Sequence, residues 1–208
     1  SYLDYYLRYC FVHGAVGGLR GDEVIVEIGS GSGKQAAVLK QLLPDATILC
    51  FDLPLQLFLA YHYTRSFMPG QVVGPDETRG WTDLSGLRRG KIHFFGNWQM
   101  PLASGLRFDL FWNAASFGEM EPAVVQRYLS YVSGAEWIYL MQARHGKETG
   151  RRRGGVEQPQ TFDDYCRYLP GYVLQQERLA QGALKPYRET GGYFEAVWRS
   201  RATTEVVE

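Results

Sequence analysis

The 208-residue sequence carries 22 basic and 22 acidic side chains, so with neutral histidines it has no net charge at pH 7. A chain of this length fits one domain with a proper core. The balanced charge argues against a general nucleic-acid binder or a membrane-surface protein. Cys10, Cys50 and Cys166 are odd in number, far apart and without a CxxC pair. That usage speaks against a disulfide framework or a zinc site and points to a reducing, cytoplasmic setting. No run approaches the roughly 18 apolar residues of a membrane span, and no signal-peptide pattern opens the chain. The sequence begins at Ser1 rather than methionine, as expected of a domain taken from a longer protein.

In chain order, Tyr2, Tyr5, Tyr6 and Tyr9 stand at helical spacing within residues 2–13. This N-terminal segment (1–20) reads as a helix packed on the rest, with substrate gating as the alternative. Apolar strand-like runs follow at 24–28, 46–51, 91–95, 108–112 and 136–141. Helical patterns at 34–43, 55–67 and 122–132, and a glycine-containing charged stretch at 70–90, separate them. Strands alternating with helices predict a parallel sheet with right-handed crossovers. After residue 141 a basic loop (144–155) leads to a predicted helix at 161–169. Runs at 171–179 and 192–198 then read as an antiparallel pair. The expected fold is α/β and doubly wound: a mostly parallel seven-stranded sheet closed by a C-terminal antiparallel hairpin, in one domain spanning 1–208.

The most informative stretch is Val24-Ile-Val-Glu27-Ile-Gly29-Ser30-Gly31-Ser-Gly33-Lys34, a strand running into a glycine-rich turn and then a helix. A P-loop would need glycine at Ile28 and Ser or Thr at Gln35, and the dinucleotide fingerprint would need glycine at Lys34. Glu27, Gly29, Gly31 and Gly33 instead fit acid-x-Gly-x-Gly-x-Gly, which resembles class I S-adenosylmethionine-dependent methyltransferases. Glycines there let backbone lie against a ligand where a Cβ would intrude. The resemblance implies that Glu27 acts through water or the loop amides on the cofactor ammonium. Asp52 ends the second strand, next to Leu53, where a carboxylate can accept both ribose hydroxyls; capping the helix that starts near Pro54 is its alternative role. After the third strand, Asn97 stands where such enzymes often carry an acid for the adenine amino group, and Trp98 is placed to stack on adenine.

Three segments, Glu27-Ile-Gly-Ser-Gly, Asp52-Leu53-Pro54, and Asn113-Ala-Ala-Ser116-Phe117-Gly-Glu119-Met120, resemble the sugar O-methyltransferase family over roughly residues 23–141. The family occurs in bacterial glycoside and natural-product pathways. The resemblance implies methyl transfer from S-adenosyl-L-methionine to a sugar or glycoside hydroxyl, with Asn113 and Ser116 beside the cofactor. A base must take the proton of a weakly acidic alcohol. Glu119 is the first candidate, with shelter from Phe117 and Met120 expected to raise its pKa; a helix first-turn acid is the alternative. His145 is the second candidate, against a solvated loop role. His13, His62 and His93 are assigned structural roles. Asp109, Asn113, Glu119 and Glu121 could offer oxygens to a divalent ion, but their spacing is no metal motif, so no metal is expected. Arg144, Lys147 and Arg151 to Arg153 could clasp a nucleotide-sugar diphosphate or form a solvated loop. Other small-molecule acceptors, and a catalytically inactive cofactor-fold module of a longer protein, are the competing functions. No aromatic-basic RNA module is present, so nucleic acid is not an expected partner.

Overall fold

The computed structural model describes residues 2–147, 156–182 and 192–204. α1 (Tyr2–Ala15) is followed by β1 (Val24–Ile28), α2 (Lys34–Leu42), β2 (Thr47–Asp52) and α3 (Pro54–Phe67). Then come a two-residue β3 (Val72–Val73), the single turn α4 (Pro75–Thr78) and β4 (Ile92–Gly96). A 3-10 segment (Asn97–Ala103) leads to β5 (Phe108–Ala114), a 3-10 turn (Phe117–Glu119), α5 (Pro122–Tyr131) and β6 (Ala135–Ala143). The chain continues through α6 (Phe162–Tyr168), β7 (Tyr172–Leu179), β8 (Tyr193–Ser200) and α7 (Arg201–Thr204).

The strands form one eight-stranded sheet in the order β3-β4-β2-β1-β5-β6-β8-β7. Pairs from β3 to β6 are parallel, and β8 runs antiparallel to both β6 and β7. The sequence predicts seven strands; the eighth is Val72–Val73, too short to show a period, and it forms by pairing with Ile92 and His93.

Helices on both faces explain why the central strands are apolar at successive positions rather than alternately. Ile48 and Cys50 of β2, Leu110 and Trp112 of β5, and Tyr139 and Met141 of β6 face a core completed by α1, α2 and α3. Their alternates Leu49, Phe51, Phe111, Ile138 and Leu140 face a second core completed by the 3-10 segment, α5 and α6. Burying each such side chain stabilises the fold by about 1.5–3 kcal/mol. Proline at the first helical position starts both α3 and α5, where its fixed φ suits the helix and its missing N–H is no loss. The result is that chain leaving β1, β2 and β5 turns at one edge of the sheet.

The tyrosine stripe of α1 is split, with Tyr9 packed partly buried against the first core. Phe11 and Val12 are its buried residues, while Tyr2 is exposed. Arg178 of β7 fastens the helix: its guanidinium lies 4.3 Å from the Phe11 ring centroid and donates to the Leu7 carbonyl at 3.4 Å.

Candidate active site

The sheet order reverses direction at β1 and β5, and in open α/β sheets ligands bind in the crevice outside the carboxyl ends of the strands at such a switch. A cavity of about 500 Å³ lies there. Gly29 and Gly31 line it from the turn after β1, Asp52 and Leu53 from the end of β2, and Asn97 from the end of β4. Ala114, Ala115 and Ser116 close it from β5, with Glu119, Met120 and Tyr128 beyond them.

The glycines of the turn meet different constraints. Gly29 has φ +77°, and a Cβ there would come within 2.4 Å of the Ser116 side chain, so two loops touch at this point. Gly31 has φ +54°, and a Cβ there would meet no protein atom within 4 Å. Its missing side chain therefore leaves room on the cavity wall. Gly33 lies against Ala60 and Thr64 of α3, outside the cavity.

Asp52 is almost fully buried and ties the turn to β2. Its Oδ2 accepts from the Gly31 N–H at 2.7 Å and the Ser30 hydroxyl at 3.2 Å, and its Oδ1 accepts from the Leu53 N–H at 2.8 Å. Each oxygen keeps acceptor capacity for a ligand. Burial raises its pKa, and these three hydrogen bonds oppose the rise. Ser30 thus reaches the site through Asp52 rather than by lining the cavity. Glu27 is buried behind the turn, where Cys50 donates its S–H at 3.6 Å. Loss of water pushes its pKa up to about 8, with the neighbouring Asp52 adding to the rise.

Asn97 faces the cavity and donates to the Tyr128 hydroxyl at 3.3 Å. Trp98 does not line that cavity: its ring covers Gly96, and the side chain is exposed. Asn113 is fully buried, also without lining the cavity. Its amide donates to the Ile28 carbonyl at 2.9 Å and the Ser116 Oγ at 2.7 Å. Gln142 completes this network, donating to Asn113 Oδ1 at 2.6 Å and accepting from the Gly118 N–H at 3.0 Å. Inside it, Ala115 takes φ +72°, uncommon for a residue with a Cβ. Such backbone persists where surrounding contacts over-determine it and clusters at functional sites. Tyr128, Gln56 and Gln142 carry no motif; a glutamine among the apolar residues of β6 is the one sequence signal that could have marked Gln142.

Glu119 lies on the cavity rim, but the expected apolar shelter is absent. Phe117 turns into the core beside Phe111, and the Glu119 side chain is 58% exposed and ion-paired with Lys147 at 2.7 Å. His145 is exposed and does not line the cavity. The four oxygen donors considered for a metal are dispersed. Asp109 accepts from Arg20 and the Val24 N–H at the opposite end of β5, and Glu121 accepts from the N–H groups of Glu157 and Gln158. Arg144 pairs with Glu177 rather than with the cavity, while Arg151 to Arg153 lie outside the described residues.

No protein-family model and no curated protein matches the sequence. Solved structures do. Magnesium protoporphyrin IX methyltransferase from Synechocystis PCC 6803, with bound S-adenosylhomocysteine, superposes with a TM-score of 0.64 at 11% identity. That match covers 96% of this chain and 83% of the other. An S-adenosylmethionine-dependent methyltransferase from Aquifex aeolicus gives a TM-score of 0.55 at 15% identity, over 92% of this chain and 88% of the other. The chain has the class I methyltransferase fold. The mitomycin 7-O-methyltransferase MmcR shares it, with a TM-score of 0.58 at 12% identity; the match covers 95% of this chain and 54% of that one. The glycine turn and the cavity sit at the switch point of this methyltransferase fold.

Proposed function

We propose that the protein is an S-adenosylmethionine-dependent O-methyltransferase acting on a hydroxyl of a sugar or glycosylated metabolite. The observation that carries this reading is the meeting of the open Gly31 backbone with Asp52 on the wall of the switch-point cavity. Those residues fit the cofactor: Gly31 leaves space for it, and Asp52 has acceptor capacity for ribose hydroxyls. Fold neighbours with bound S-adenosylmethionine or S-adenosylhomocysteine support the same cofactor. When bound, it supplies an electrophilic methyl group on a sulfonium centre. Asn97, with Tyr128 fixing its amide, is placed to receive the adenine amino group, and Leu53 offers an apolar contact. Glu27 stands buried behind the turn, from where it would act on the cofactor ammonium through water or the loop amides rather than by contact from the cavity wall. Asn113 and Ser116 position the turn after β5 against Gly29.

Glu119 is the proton acceptor in this reading, since it lines the cavity and His145 does not. Lys147 holds the carboxylate at the cavity rim through their ion pair. The sugar acceptor is supported by the Asp52-Leu53-Pro54 and Ser116-Phe117-Gly118-Glu119-Met120 segments, and O-transfer by the mitomycin 7-O-methyltransferase among the fold neighbours. A reducing, cytoplasmic setting suits the free cysteines.

Incubation with S-adenosylmethionine and a panel of free sugars, nucleotide sugars and glycosides, read by mass spectrometry, tests the reading. Methylated sugar is expected, with a rate about 10²- to 10⁴-fold lower in Glu119→Gln. Turnover on phenols or amines alone would overturn the sugar assignment. Cofactor binding without turnover on any acceptor would identify a catalytically inactive module.

A further inference from the structure

We propose a second ligand site, for a nucleoside monophosphate, in a separate cavity of about 490 Å³ between α3, α4 and the start of the 3-10 segment. It shares no lining residue with the first cavity, from which the Leu53–Pro54 and Gly96–Asn97 junctions divide it. Its size falls within the range of small-molecule sites.

Its chemistry is unlike that of the first cavity. Trp98 and Phe58 line it, 57% and 59% exposed, so two large aromatic side chains border one concavity uncovered by other protein. Trp98 is fixed in place: its ring rests so closely on Gly96 that a Cβ there would lie 2.3 Å from it. Phe58 is braced by His62, their ring centroids 4.4 Å apart. Fixed, exposed aromatic faces are stacking platforms for bases. Two guanidinium groups stand on the same lining. Arg65 donates to the Tyr61 hydroxyl at 3.1 Å, its carbon 5.7 Å from that ring's centroid, which leaves most of its donors unused. Arg79 has no side-chain hydrogen bond or ion pair among the described residues, and neither has Asp76, the only carboxylate on the lining. The cavity therefore offers flat π surfaces, two cations able to grip an anion in fork geometry, and one free acceptor for a hydroxyl or amino group. A nucleoside monophosphate presents all three complements together, whereas a simple aryl phosphate lacks the group that Asp76 would accept.

Calorimetric titration of the full chain with AMP, adenosine and phenyl phosphate tests the site. AMP is expected to bind at least tenfold more tightly than either comparator. Arg65→Ala combined with Arg79→Ala should weaken it tenfold or more, while Asp52→Ala in the first cavity leaves it within twofold. Both arginines are exposed, so the double variant tests binding rather than folding. In the unsubstituted chain AMP should also change tryptophan emission, and Trp98→Phe should remove that response. No AMP binding would overturn the proposal. So would binding that Asp52→Ala abolishes and the arginine variants leave unchanged, which would place AMP in the first cavity. Phenyl phosphate equal to AMP would overturn the nucleotide assignment.

Discussion

Glu27→Gln isolates a carboxyl whose ionisation burial displaces to about 8. In the folded chain its pKa rises from 4.5 to about 8 because the side chain has lost its water, and Asp52 stands nearby. The unfolded chain releases this proton near 4.5, whereas the folded chain keeps it until about 8. Between those values the folded state binds more protons, so stability falls as pH rises through that window and levels off above it. At about 1.4 kcal/mol per pH unit, the rise corresponds to roughly 5 kcal/mol spread over the interval. Glutamine preserves the shape and removes the titration. Urea unfolding of native and Glu27→Gln protein at pH 5, 6, 7 and 8 reads the effect as a difference, which cancels the other titrating groups. The variant should gain on the native protein by about 1 kcal/mol for each pH unit and be the more stable form at pH 8. Parallel stability curves would refute the argument and mean that Glu27 is ionised in the folded chain. If a cofactor ammonium approaches the turn, Glu27 should also release its proton on binding. Calorimetry in buffers of different ionisation enthalpy would detect that release.

The middle and last glycines of the turn separate binding from folding. Gly31→Ala puts a methyl group into open cavity at φ +54° and should lose about 1–2 kcal/mol of stability together with most cofactor affinity. Gly33→Ala places a Cβ 3.0 Å from the Ala60 carbonyl and the Thr64 methyl at φ +74°, so thermal unfolding should show the larger loss there. Gln142→Leu removes the acceptor of the Gly118 N–H and leaves Asn113 Oδ1 only its 3.4 Å contact with the Phe117 N–H. It should destabilise by about 2–4 kcal/mol, lowering Tm by roughly 5–15 °C; an unchanged Tm would show that water replaces the amide.

Much of the sheet was legible because buried parallel strands write themselves as short apolar runs. Val24–Ile28 and Thr47–Asp52 are examples, and the acid at the end of each could be placed without coordinates. Val72–Val73 was not legible, since two residues carry no period and the strand exists only through its neighbour β4. Within the site, backbone requirements could be read and side-chain directions could not. Gly29 and Gly31 were picked out from the turn pattern and Asp52 from its place at the end of the second strand, and all three line the cavity. Trp98 was misdirected because local sequence does not say that its ring covers Gly96 rather than facing the cavity. Glu119 was expected to be sheltered because its flanking residues are apolar. Phe117 spends its surface on the core instead, and Lys147, 28 residues away, supplies the partner.

A cofactor site built on the Gly31–Asp52 contact is tested by calorimetric titration of the purified chain with S-adenosylhomocysteine, native against Asp52→Ala. Micromolar binding, about −8 kcal/mol, that collapses in the variant is the predicted result. A native chain that does not bind, or a variant that binds equally well, would contradict it.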